Sequence, residues 1–202
     1  PKIKKMKLMN QLGITSKKYV VLIKHPLSSE VDDAGVQMET ALKSLHQFCQ
    51  KHSFQVISIP PNSDPGSYEM KRVIEKYSDS EWLVKAETLP RLQCVNLMRN
   101  ASALVGNSSM GILEAPHYRL PVVNIGNRQQ GRLNAGNVEF VPYDIDVITA
   151  ALEKAALDEK YRKMIKNLEN PYGDSSAPIK VREAIESVDL KDKKWYTKKK
   201  LI

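Results

Sequence analysis

Apolar residues follow two rhythms along this chain. Short continuous runs recur at residues 19–24, 55–59, 101–105 and 121–125, with briefer ones at 81–84 and 138–141. Runs of this length rich in Val, Ile and Leu, without polar alternation, predict strands buried on both faces. Between them the apolar positions recur every three to four residues, which predicts helices. In the stretch 32–52, Val36, Met38, Leu42, Leu45, Phe48, Cys49 and His52 share this spacing, and Asp32 and Asp33 favour its start. Further helices are predicted over 67–77, about 92–99, immediately after Ser108, and over 145–156, 158–168 and 178–188.

Strands alternating with helices every twenty residues or so predict βαβ units and a parallel sheet covered on both sides. The expected fold class is α/β, a Rossmann-like doubly wound parallel sheet. In such a sheet ligands lie outside the carboxyl ends of the strands. The polar, glycine- and proline-punctuated segments fall at those ends: His25-Pro26, residues 60–67, Thr88 to Pro90, Gly106 to Gly111, and the loop from Gly126 to Gly136. The expected organisation is a basic N-terminal segment at 1–18, a Rossmann-like domain at 19–188 and a basic tail at 189–202.

Charge narrows the chemistry. The net charge of +8 sits at the ends: residues 1–18 carry six lysines and no acid, and residues 189–202 carry six lysines against two aspartates. The segment between them is close to neutral, and its basic residues are not interleaved with aromatics, so no nucleic-acid partner is expected. No apolar stretch is long enough to span a bilayer, and no membrane partner is expected. Two cysteines outside any CxxC pair fit free thiols, and a cytoplasmic location is the expectation. Neither a Walker G-x-x-x-x-G-K-[ST] sequence nor a G-x-G-x-x-G fingerprint is present. No His/Cys grouping has metal-ligand spacing, so neither metal nor cofactor is expected.

The most informative stretch is Gly106-Asn107-Ser108-Ser109-Met110-Gly111. Strand, Gly/Ser turn and helix start together present backbone N–H groups to an anion. Ser108 and Ser109 add neutral donors, with helix capping as the plainer alternative. Glu114, one and a half turns on, could accept hydrogen bonds from a ribose diol. Pro116 forces this helix to be short or kinked. Pro26 biases His25 toward extended backbone at the strand end, where it could contact phosphate or move a proton. Asn62 and Asp64 sit in a turn whose Asx side chains often bond their own backbone. Arg128 and Arg132, on a loop loosened by Gly131, suit a pyrophosphate or a leaving group.

Taken in order, His25-Pro26, the run 61–67, Gly106 to Gly111 with Glu114, and the run 121–132 resemble the carboxyl-terminal half of UDP-N-acetylglucosamine 2-epimerases. Asn107-Ser108-Ser109 and Arg128-Gln129 with Gly131-Arg132 resemble the hydrolysing branch in particular, whose product feeds sialic acid synthesis; the non-hydrolysing branch typically carries Ser-Gly-Gly at the first position. The resemblance covers about residues 17–190. It implies the second half of a glycosyltransferase-B architecture, with UDP in the cleft between two Rossmann-like domains. Ser108 and Ser109 would hold the diphosphate, Glu114 the ribose and Leu89 the uracil. Asn62, Asp64, Arg128 and Arg132 would line the nucleotide side, and His25 with Arg128 would act at the departing phosphate. The implied chemistry is elimination of UDP to a 2-acetamidoglucal, followed by hydration to N-acetylmannosamine. The carboxylates for proton transfer belong mainly to the first domain of such enzymes, so this chain is expected to be inactive without it and to form a homo-oligomer with it. Arg119 departs from the pattern, where a glycine is common, and so does Pro116.

Three other readings fit the residues. A glycosyltransferase donor domain would use a similar Glu for ribose, and a 2-epimerase could act on a UDP-linked 2,4-diacetamido-trideoxy sugar. A non-enzymatic nucleotide-binding or assembly module with basic ends is the third.

Overall fold

The computed structural model describes residues 2–174 and 176–197. Residues 198–202, the last part of the expected basic tail, lie outside the described residues. Six strands form one sheet: β1 (Tyr19–Ile23), β2 (Gln55–Ser58), β3 (Leu83–Lys85), β4 (Leu104–Gly106), β5 (Val122–Ile125) and β6 (Val138–Val141). Their order is β3-β2-β1-β4-β5-β6 and every neighbouring pair is parallel. This is the doubly wound arrangement expected from the alternation of elements. The order reverses between β1 and β4, where Ile23 pairs with Gly106. A crevice opens at that switch point because the chain leaves the two strands toward opposite faces.

The residues of β1 explain its unbroken apolar run. Val20 and Leu22 join one core with α2 (Ala34–His52), α3 (Ser67–Glu75) and α6 (Ile145–Leu157). Tyr19, Val21 and Ile23 join a second core on the other face with α4 (Arg91–Asn100). α1 (Lys5–Gln11) belongs to that second core, and so does the short α5 (Met110–Leu113) through the turn that follows it. α7 (Glu159–Lys166) and α8 (Ala177–Glu186) complete the helices. Among the described residues no helix is long and apolar enough to cross a membrane.

Three local features depart from the sequence reading. The segment 1–18, which its lysines mark as a solvated extension, contains α1, whose Leu8 and Met9 are buried with Ile14. Two buried apolar residues on a seven-residue helix, with Ile14 just beyond its end, are too few to stand out among lysines, yet they close the second core. The helix expected from residue 32 begins at Ala34, preceded by a 3-10 segment at Ser28–Asp33. The helix after Ser109 stops at Leu113, and a 3-10 turn at Ala115–Tyr118 contains Pro116. Arg119, which ends that turn, has φ 54°, so the position suits glycine, and arginine holds it at a modest strain.

Candidate functional site

The switch-point crevice is built around one asparagine. Asn107 directly follows β4, and its side chain continues the ladder that the strands leave unfinished. Its Oδ1 accepts the His25 backbone N–H at 2.7 Å, and its Nδ2 donates to the His25 carbonyl at 2.8 Å. This two-bond clasp fixes the ends of β1 and β4 against each other. Gly106 makes the clasp possible. It has φ +125°, and a Cβ there would lie 2.1 Å from the Ile23 carbonyl oxygen. The Asn107 carbonyl in turn accepts Arg128 Nη1 and Gln129 Nε2, each at 3.1 Å. Gln129 is buried and its Oε1 accepts Arg132 Nη1 at 2.8 Å. One buried residue thus draws His25, the Ser108-Ser109 turn and the arginine loop together.

His25 is held as a neutral donor. The Asn62 backbone N–H donates to its Nδ1 at 3.0 Å, which leaves the ring proton on Nε2. Burial lowers its pKa from the usual value, Arg128 and Lys24 lower it further, and Asp64 opposes them. The Asn62 side chain is occupied by Asp64, whose carboxylate accepts from Asn62 Nδ2. Asn62 therefore contributes through its backbone, and the Asx turn is the main business of its side chain.

The turn after β4 offers unspent donors. Ser108 Oγ accepts the Met110 N–H at 3.3 Å. Ser109 occupies the cap position of α5 without a side-chain cap bond. Among the described residues the backbone N–H groups of Ser108 and Ser109 have no partner. Two free amides, a free hydroxyl, the His25 Nε2–H and the Arg128 guanidinium form a donor-rich rim of the kind that holds phosphate.

Glu114 lies farther along, half-buried, with its Oε2 2.7 Å from Arg91 Nη1 and 3.2 Å from the Tyr118 hydroxyl. Arg91 opens α4 directly after Leu89 and Pro90, so the ion pair draws the Leu89 segment beside Glu114. Leu89 is half-buried against the second core. Arg132 is exposed and reaches the crevice only through Gln129.

Four residues of the site escape the sequence reading. Asn107 and Gln129 are polar residues inside a motif and show no outward sign of burial. Lys24 reads as the polar end of a strand, yet it is fully buried. Its Nζ donates to the Tyr143 hydroxyl at 3.0 Å and to Gln37 Oε1 at 3.3 Å. Burial is the main cause that lowers its pKa to about 7; Glu30 works against the fall and Arg128 adds to it. The only advance signal was position: a lysine that closes a strand beside a candidate histidine. Tyr143, on the loop after β6, carried none. Among the described residues no group of three His, Cys, Asp or Glu side chains could hold a metal ion.

Residues 1–186 match the family model described as UDP-N-acetylglucosamine 2-epimerase. The chain belongs to that family. The UDP-N,N'-diacetylbacillosamine 2-epimerase (hydrolyzing) of Legionella pneumophila is 31% identical over 174 residues, which cover 86% of this chain and 44% of the relative. The polysialic acid biosynthesis protein P7 of Escherichia coli is 28% identical, over 95% of this chain and 49% of the relative. The UDP-GlcNAc 2-epimerase of Neisseria meningitidis, solved with UDP-GlcNAc bound, superposes with a TM-score of 0.72 at 18% identity, covering 91% of this chain and 49% of that one. The fold is shared with these epimerases, and the chain spans about half the length of the curated relatives it matches.

Proposed function

We propose that this chain is the UDP-holding part of a hydrolysing UDP-sugar 2-epimerase. The observation that carries the reading is the Asn107 clasp, which brings His25 Nε2–H, the free amides of Ser108 and Ser109, and Arg128 to one sheet edge. The reaction eliminates UDP across C1 and C2 of the sugar. As the C1–O bond breaks, charge builds on the β-phosphate, and preorganised donors stabilise it most where they tighten on the departing oxygen. His25 and Arg128 take this role, Ser108 and Ser109 seat the diphosphate, and Glu114 receives the ribose once Arg91 shares it. Leu89 packs beside the base, and Arg132 acts by holding Gln129.

Loss of the C2 proton needs a base. The carboxylates at this edge are committed: Glu30 to Gln37 and Asn127, Asp64 to Asn62, and Glu114 to Arg91 and Tyr118. The base and the sugar-binding groups are therefore assigned to the remaining half of the protein's length, and this chain alone is expected to bind UDP without turnover. Asn107-Ser108-Ser109 favours the hydrolysing outcome, as do the relatives named for it. The Legionella relative makes a UDP-2,4-diacetamido-trideoxy sugar the second candidate substrate beside UDP-N-acetylglucosamine.

Calorimetric titration of UDP into this chain tests binding, and no heat at millimolar UDP would count against it. Incubating the full-length protein in D2O with each of the two sugars tests chemistry. Free 2-epimerised sugar carrying deuterium at C2 is expected. A product that keeps its C2 proton and requires an acceptor would mark a glycosyltransferase instead.

A further inference from the structure

Lys24 is a buried charged side chain of this edge that the phosphate contacts leave unexplained. It is 1% exposed and sits between β1 and His25. Among the described residues its Nζ meets no carboxylate directly; it donates to Tyr143 Oη and Gln37 Oε1 and stands 4.9 Å from the Tyr143 ring centre. From Gln37 the contacts run outward. Gln37 Nε2 donates to Glu30 Oε2 at 2.7 Å, and Glu30 Oε1 accepts Asn127 Nδ2 at 3.0 Å. Asn127 precedes Arg128. A hydrogen-bonded chain thus connects the end of β1, through α2 and the 3-10 segment, to the loop that carries the guanidinium. Stability alone gives no reason for the cation, because an apolar side chain of similar length would fill the site without a desolvation cost.

We propose that Lys24 is a positioning residue for the nucleotide's diphosphate: through Gln37, Glu30 and Asn127 it sets the place of Arg128, and its charge is linked to occupancy of the phosphate site. The inference rests on the UDP reading above. The groups facing Lys24 are Glu30 from the 3-10 segment, Arg128 from the β5–β6 loop, Tyr143 from the loop after β6 and the adjoining His25. Glu30 favours the cation and Arg128 opposes it, while burial brings its titration to about 7. Tyr143 is held neutral, its pKa raised by burial. A diphosphate on Arg128 offsets the opposing charge and adds a favourable one. Binding then draws a proton onto Lys24, and by reciprocity protonation tightens binding. Each unit by which the ligand raises this titration is a tenfold gain in affinity, about fivefold of it developed between pH 9 and pH 7. His25 titrates below its usual value and phosphate near 6, so neither dominates that window.

The test is UDP titration into the 202-residue chain from pH 9 to pH 7 in two buffers of different ionisation heat. Wild type is expected to tighten about fivefold with fractional proton uptake. Lys24→Met is expected to show a flat profile and weaker binding at pH 7, and Glu30→Gln to move the profile to lower pH. If Lys24→Met does not fold, Tyr143→Phe and Glu30→Gln decide: a displaced pH profile supports the proposal and an unchanged one overturns it. A folded Lys24→Met that matches wild type in affinity and pH profile, while Arg128→Met still weakens UDP, overturns this inference alone. Failure of wild type to bind UDP, or binding indifferent to Arg128, overturns the nucleotide reading and this inference with it.

Discussion

Lys24→Met should stabilise the protein, by an amount that shrinks as pH rises. In the folded state burial lowers the lysine's pKa from 10.5 to about 7. Between those limits the unfolded chain holds a proton that the folded chain has lost, so raising the pH stabilises the fold. The burden of the buried charge is greatest below pH 7, where the shift corresponds to ~5 kcal/mol. Methionine fills a similar volume but leaves Gln37 Oε1 and the Tyr143 hydroxyl without their donor, which costs ~1–3 kcal/mol at every pH. The variant should therefore exceed wild type by ~2–4 kcal/mol at pH 6.5. That margin should contract by ~3 kcal/mol by pH 9.5. Urea unfolding followed by circular dichroism at both pH values, with wild type alongside, gives the difference free of other titrations. A difference that does not change with pH would refute the reasoning, and so would a variant less stable throughout.

Other substitutions probe the remaining contacts. Gly106→Ala places a Cβ 2.1 Å from the Ile23 carbonyl at a φ of +125° and should cost at least ~3 kcal/mol in urea unfolding. Asn107→Ala removes both bonds to the His25 backbone and should lower stability by ~2–3 kcal/mol and abolish measurable UDP binding, read by melting and calorimetry. Arg128→Met should weaken UDP at least about tenfold while leaving uridine unaffected. Glu114→Gln should weaken uridine and UDP alike but spare inorganic pyrophosphate. Identical losses for all three ligands would contradict this division of labour.

The sequence was most legible where one physical requirement governs a whole segment. Burial on both faces makes β1 uniformly apolar, and the doubly wound order follows from strands that need helical crossovers. Gly106 and Pro116 declared a turn and an interrupted helix because their backbones admit few alternatives. The parts that stayed hidden are those where a polar side chain is spent inward. Asn107, Gln129 and Lys24 have the composition of a surface loop, and only the tertiary arrangement buries them. Asn62 shows the opposite limit: its residue type drew attention to the side chain, while the backbone N–H holds His25. α1 escaped notice because its two buried apolar residues, Leu8 and Met9, are diluted by lysines that stay in solvent.

In the proposed function the edge between β1 and β4 seats a nucleoside diphosphate on the open amides of the β4 turn. Amide NMR of the isotopically labelled chain during UDP addition addresses those groups directly. Saturable shifts of the Ser108 and Ser109 N–H resonances, larger than those of β3 or α8, are the expected result. UDP at millimolar concentration that leaves both resonances in place would contradict the account.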